Sequence, residues 1–363
     1  MAGLSGWETR ELHGASELAA RRALLSSRGL SVPGGEDRVL GLFEQDRLLA
    51  TGSITGKTLV GIAVDRSIEG EGGAAAILSA LISSAVASGL RHLFLYTLSK
   101  EASRFANLGF SPISSVPEGA ALLEWGSPCI RDWLRELKRA SEGKPHGAGA
   151  LVVNCNPFTL GHRKLVEFAA SNSPWLYIFV VEEDKSIFPF STRYELVKRG
   201  TADLKNISVL PGGPYIISSA TFPTYFIRPE PGKESERAVA MHADLDLAVF
   251  REHIAPALNI STRYVGTEPY CPTTAAYNRA MKSVLSPGPR RESSLAGPAL
   301  EVVEMPRFTI EGTPVSASRV RDLLRSGKID EATALLPAST IAWLESPEAS
   351  PVLQRLRSSN ARH

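Results

Sequence analysis

The sequence predicts an α/β protein: a doubly wound unit on a parallel sheet, preceded by a smaller α+β unit. Three observations carry this. From Ala148 onward, short apolar runs rich in β-branched residues recur, and helical segments separate most of them. The first of these runs leads through a tight turn into a helix start, Thr159-Leu160-Gly161-His162, and the last leads into a second helix start at Ser316. Before Gly126 the order is different, with one helix, then three strands in succession, then a long Ala/Leu/Ile helix.

In chain order, residues 1–126 open with a helix near Ser16 to Ser27. Strands follow at Arg38 to Phe43, Arg47 to Ile54 and Thr58 to Val64. A glycine turn, Glu69-Gly70-Glu71-Gly72-Gly73, starts the long helix. A strand at His92 to Thr97 and a short helix at Ala102 to Asn107 come next. Ala74 to Leu90 carries no charge, yet its 17 residues include four serines, so it reads as a helix packed on a sheet, with no membrane partner. Residues 127–146 place Trp133, Leu134 and Leu137 on one face of a connecting helix, then Gly143 to Pro145 as a linker.

Residues 147–345 supply the second unit. Its strands are expected at Ala150 to Asn154, Trp175 to Val181, Ile207 to Leu210, Thr262 to Gly266 and Leu300 to Met305, with helices at Arg193 to Leu204 and Leu245 to Leu258. Residues 346–363, rich in Ser, Arg and Pro, are expected to be a disordered tail.

In a doubly wound sheet, ligands sit at the carboxyl ends of strands near the switch point. The candidate site is therefore read from the turns that follow strands. Asn156, Phe158 and Thr159 lie in the turn after the first strand, with Gly161 and His162 opening the helix. Free N–H groups and the positive helix end favour an anion there, and His or Thr beside them can donate to a phosphate. At the second corner Ser316 is an N-cap, with Ser318 and Arg319 beside it. Together the two corners can clamp a triphosphate. Gly266, Thr267 and Glu268 read as an ordinary turn or, equally, as contacts to an adenosine, and Arg193 reads either as a surface helix residue or as one that reaches phosphates across the cleft. His242, Asp244 and Asp246 invite a metal reading, but HADLD ahead of a helix reads as readily as a capping segment, and no metal ligand is assigned.

Composition narrows the function further. Forty basic against 38 acidic residues give a net charge of +2, no bulk reason to expect nucleic acid or an anionic membrane. Cys129, Cys155 and Cys271 are odd in number, far apart and without a CxxC pair. That argues against a disulfide framework or structural zinc, and suits a reducing cytoplasm. Charges in the first 14 residues argue against an export signal.

The glycine turn and the late FANLGF segment (residues 105–110) resemble the GNAT acetyltransferase fold, although Ser67 stands where that family carries Arg or Gln. The two later motifs resemble the Rossmann-like nucleotidyltransferase superfamily with HxGH or TxGH and ISxxxR. Within it the stretches NCNPFTLGHRKLVEFAA, YIISSATFPTYF, VGTEPYCPTTAAYN and VSASRVRDLL are similar to the citrate lyase ligase family. That resemblance implies an ATP-dependent ligase that activates acetate as acetyl-adenylate. It would then acetylate the phosphoribosyl-dephospho-coenzyme A thiol of the citrate lyase acyl-carrier subunit, releasing AMP and diphosphate. It also implies Mg²⁺ held mainly through the nucleotide, with catalytic roles for His162, Thr159 and Arg319. Two alternatives stay open. One is a plain adenylyltransferase acting on a small phosphorylated acceptor such as a pantetheine phosphate or nicotinamide mononucleotide. The other is a binding protein whose clamp is inert.

Overall fold

In the computed structural model, residues 6–183, 186–218, 233–268, 272–286 and 296–358 are described. The chain divides into two compact units, Met1–Ile130 and Arg131–His363.

The first unit is a seven-stranded sheet of β1 (Trp7–Glu11), β2 (Arg38–Glu44), β3 (Arg47–Thr55), β4 (Thr58–Val64), β5 (His92–Leu98), β6 (Ser111–Ser115) and β7 (Ala120–Gly126), in the order β1-β2-β3-β4-β5-β7-β6. All neighbours are antiparallel except β4 and β5, whose parallel pairing covers only Thr58↔Phe94 and Leu59↔Leu95. The helices are α1 (Ala15–Ser27), α2 (Gly73–Ala87) and α3 (Ala102–Ala106). Helix α2 buries Ile77, Leu78, Leu81 and Ala85, which accounts for its lack of charge. This is the α+β architecture expected. The strands that the sequence reading did not give, β1, β6 and β7, have physical reasons to be missed. Strand β1 leaves four of its five residues exposed, while β7 buries five consecutive residues, so neither alternates.

The second unit begins with α4 (Ile130–Ser141), whose first residue closes the preceding unit. Its sheet comprises β8 (Ala148–Val153), β9 (Leu176–Val180), β10 (Ile207–Pro211), β11 (Ile260–Gly266) and β12 (Glu301–Met305), all parallel, in the order β10-β9-β8-β11-β12. The order reverses between β8 and β11, which is the switch point of a doubly wound sheet. Helices α5 (Leu160–Ser171), α6 (Phe190–Gly200), α7 (Lys233–Val249) and α8 (Pro272–Leu285) intervene between strands. Helices α9 (Ala317–Arg325), α10 (Ile329–Thr333), α11 (Ala338–Leu344) and α12 (Ser350–Ser358) close the chain. Helix α7 runs on through a π-helical turn at Phe250–Ile254, so the helix expected from Leu245 starts earlier than its apolar face suggests.

Two boundaries differ from the sequence reading. Residues 127–146 are no free connector: Trp133 lies 5.3 Å from Tyr215, Ser141 donates to the Ala257 carbonyl at 3.3 Å, and Lys144 sits 4.0 Å over Trp175. The apolar stripe on α4 is simply buried against its own unit, with Leu137 only 4% exposed. The tail expected to be disordered is helical up to Ser358, and Val352 and Leu356, spaced i and i+4, enter the main core with Leu151, Val166, Ile178 and Leu324. Composition masked that pair, because a few apolar side chains, Leu353 packing beside Val352 and Leu356, suffice to dock a short helix rich in Ser, Gln and Arg. Leu356→Ala should therefore lower the unfolding free energy by roughly 2–5 kcal/mol; a urea midpoint equal to wild type would show that α12 is undocked.

Candidate active site

Strand β8 hands the chain to Asn154 at the switch point. Cys155 then takes φ +52°, the left-handed region that few side chains adopt without support, and a cis peptide joins Asn156 to Pro157. Thr159 is the N-cap of α5. Its hydroxyl accepts from the His162 N–H at 3.4 Å. In return, the His162 ring nitrogen Nδ1 accepts from the Thr159 backbone N–H at 3.1 Å and lies 2.9 Å from the Thr159 hydroxyl. With Nδ1 occupied as an acceptor, the proton of the neutral ring sits on Nε2. Burial first, and the Arg307 charge second, push the His162 pKa down to about 4. The ring is therefore a neutral donor at physiological pH, with Phe158 stacked 6.0 Å behind it.

The second corner follows β12. Ser316 caps α9 by accepting from the Arg319 N–H at 3.2 Å. Two contacts bring this corner against the first. Arg321 Nη1 donates to the Asn156 carbonyl at 2.5 Å, across 165 residues of sequence. At Gly161 a Cβ would meet the Val315 carbonyl oxygen at 3.1 Å, so the glycine allows the first turn of α5 to lie against the chain entering α9.

A cleft of about 280 Å³ lies between them, lined by Asn154, Asn156, Thr159, Gly161 and His162 from the first corner and by Ser316, Ala317 and Arg321 from the second. The end of β11 contributes Gly266, Thr267 and Glu268, and the chain two residues beyond β12 contributes Arg307. Arg307 pairs with Glu268 at 3.1 and 3.3 Å and donates its backbone N–H to Thr267 Oγ1 at 3.0 Å. Two helix N-termini, a neutral imidazole donor and two guanidinium groups thus face one small space, which favours a phosphate-bearing ligand.

Four residues expected at the site stand elsewhere. Phe158 is fully buried in the core behind His162. Arg193 is also fully buried. Its Nε donates to the Phe188 carbonyl, Nη1 to the Asn154 and Val181 carbonyls and to Asn154 Oδ1, and Nη2 to the Glu183 carbonyl, so it staples the loops and does not line the cleft. Ser318 is exposed, and neither it nor Arg319 lines the cleft. Two residues further along α9, about 200° around the helix, Arg321 does. The signal was present: Arg321 precedes the buried Leu324 by three residues, which puts it on the inward face. Arg307 also had a signal, as the first charged residue beyond the carboxyl end of β12.

Other candidates resolve into structural roles. Asp246 Oδ1 accepts the Ile217 N–H and its Oδ2 the Tyr277 hydroxyl, both at 2.7 Å. His242 lies in the same helix, its pKa lowered to about 4 by burial. No cluster of three or more His, Cys, Asp or Glu side chains suited to a metal occurs among the described residues. Cys155 is 1% exposed, and burial pushes its thiol pKa well up. Asp184, Lys185, Cys271 and residues 219–226 of the aromatic segment lie outside the described residues.

Fold and cleft together define a doubly wound α/β unit whose candidate site is built from two strand-to-helix corners. Comparison with known proteins narrows this. The family described as citrate lyase ligase C-terminal domain matches residues 148–344. A [citrate [pro-3S]-lyase] ligase of Klebsiella pneumoniae is 42% identical over 301 residues, 83% of this chain and 84% of that protein. The Escherichia coli protein of the same name is 36% identical over 331 residues, 91% of this chain and 90% of that one. Among solved structures, Escherichia coli ElaA covers 33% of this chain and 99% of its own, at 16% identity and a TM-score of 0.30. This chain belongs to the citrate lyase ligase family.

The lowered pKa of His162 has a measurable consequence. In the ligand-free protein its ring should stay neutral in an NMR titration until about pH 4. Because the unfolded ring takes up its proton near 6.5, the contribution of His162 makes stability rise between about pH 4 and 6.5 and stay flat above. A folded-state midpoint near 6.5 would contradict the buried, Nδ1-accepting arrangement.

Proposed function

We propose that this chain activates acetate with ATP and transfers the acetyl group to the prosthetic thiol of the citrate lyase acyl-carrier subunit, releasing AMP and diphosphate. The relatives are named as ligases of citrate lyase, and ATP use follows from a ligase of this kind. The single observation behind the assignment of residues is the meeting of the two corners through Arg321 and Gly161. It supports an ATP-clamp reading, because both helix ends and the His162 Nε2–H then serve one triphosphate.

The chemistry needs no nucleophile from the protein. The acetate carboxylate displaces diphosphate from the α-phosphorus, and the carrier thiol then displaces AMP from the mixed anhydride, its proton passing to solvent. The residues position the reactants and stabilise charge on the departing diphosphate. His162 does this as a neutral N–H donor, Arg321 as a fixed cation and Ser316 through the N-terminus it caps. Thr159, whose hydroxyl is engaged with His162, acts by holding the tautomer. Glu268, paired with Arg307, serves the nucleoside end. Mg²⁺ would be held mainly by the nucleotide, with no ligand assigned from this chain, and would supply neutralising positive charge; the oxygen-rich phosphate chain suits such a hard cation.

The relatives' names favour this over adenylyl transfer to a small phosphorylated acceptor. Exchange of labelled diphosphate into ATP should depend on acetate and be unmoved by pantetheine phosphate or nicotinamide mononucleotide. His162→Ala should slow acetate-dependent diphosphate release about 10²- to 10³-fold while leaving the fold intact, and mass measurement of the carrier subunit should show loss of the added acetyl group. Wild-type turnover in that variant would remove His162 from the assignment.

A further inference from the structure

One group on the cleft wall is left unexplained by the phosphate clamp. Arg263, in the middle of β11, lines the cleft and is 2% exposed. Its neighbour Tyr264 faces the opposite side of the sheet, donating its hydroxyl to the Asn172 carbonyl at the end of α5 at 2.8 Å. Arg263 points toward the helices that follow β10, with its guanidinium 4.6 Å over the Phe250 ring. Neither Nε nor Nη1 has a hydrogen-bond partner, although both are buried. The nearby carboxylate, Asp246, offers charge but uses its oxygens on the Ile217 N–H and the Tyr277 hydroxyl.

A buried cation stacked on an aromatic ring, with two of its three nitrogens lacking hydrogen bonds, is an expensive arrangement unless something else completes it. The surroundings indicate what that is. Val152, Ile217 and Met281 line the same cleft, while His162, Ser316 and Arg321 already provide for phosphates. A guanidinium among short apolar side chains matches a small monocarboxylate with a short hydrocarbon tail: one negative charge and little else to solvate.

We propose that Arg263 binds the carboxylate of the acid substrate, making it the positioning residue for the acid while the corner residues hold the nucleotide. This rests on the ligase reading above. In that arrangement acid specificity is set by the size of the apolar wall around Arg263, and the bound carboxylate completes the guanidinium's hydrogen bonds before any reaction begins.

The test uses the full chain with Arg263→Met and Arg263→Lys. In steady-state diphosphate release, Arg263→Met should raise the acetate KM about 10- to 100-fold and leave the ATP KM unchanged. Arg263→Lys, which keeps the charge but loses the planar fork, should fall between. A second readout needs no turnover: acetate alone should raise the thermal midpoint of the wild-type protein and not that of Arg263→Met, while ATP should raise both. Folded variants with a wild-type acetate KM, or an equal rise in KM for acid and nucleotide, would overturn the proposal. So would loss of fold in both variants, which would give Arg263 a purely structural role. If the wild-type protein releases no diphosphate with acetate, the ligase reading itself fails; if it does and the variants match it, only the acid subsite fails.

Discussion

The hydrogen bond from Arg321 to the Asn156 carbonyl is the contact on which the site depends. A parallel sheet places the carboxyl ends of its strands side by side, but it does not by itself bring two helix starts to one ligand. Here a buried cation on α9 closes on the main chain of the turn after β8, and the absence of a side chain at Gly161 lets the backbones approach. The turn is held from behind as well: Thr340 donates to the Phe158 carbonyl at 2.9 Å, and Leu160 N–H to the Leu335 carbonyl at 3.0 Å. The C-terminal helices are thus part of the site's foundation, which is why a tail that looks unstructured by composition is docked into the core.

Around that contact the polar groups divide into those that face the cleft and those that hold it. Arg193 and Asn156 spend hydrogen bonds on loop main chain, the Asn156 side chain accepting the Phe188 N–H at 3.0 Å. Thr159 spends its hydroxyl on fixing the imidazole. What remains facing the cleft is a neutral ring donor, Arg263, Arg307, Arg321 and the helix ends. Keeping His162 neutral suits a site whose wall already carries guanidinium groups, since a further cation beside them would be desolvated and repelled.

Much of this was legible in the sequence. The five strands of the second unit begin within about two residues of where apolar runs and turn residues place them, because buried parallel strands read as continuous β-branched stretches. The corner at Thr159 to His162 was legible from its cap and glycine. At the second corner Ser316 caps the helix as its sequence suggests, but proximity to the cap points to Arg319, whereas Arg321, on the face shared with Leu324, lines the cleft. Arg193 was misplaced for a different reason. A positive charge near a phosphate site reads as a ligand until its acceptors are seen, and four main-chain carbonyls leave no sequence mark. Strand β7 and helix α12 were missed because neither shows a long periodic face.

The turn after β8 also contains the Cys155 sulfur, almost fully enclosed and held in its protonated form by the apolar surroundings. For chemistry that delivers an activated acyl group to sulfur, that enclosure is a form of self-protection. In the proposed reaction the mixed anhydride forms within the same cleft as a cysteine that lacks both the access and the anionic form needed to intercept it. Acceptor choice is then settled by which sulfur can enter from outside, and self-acylation at this cysteine is suppressed by its burial.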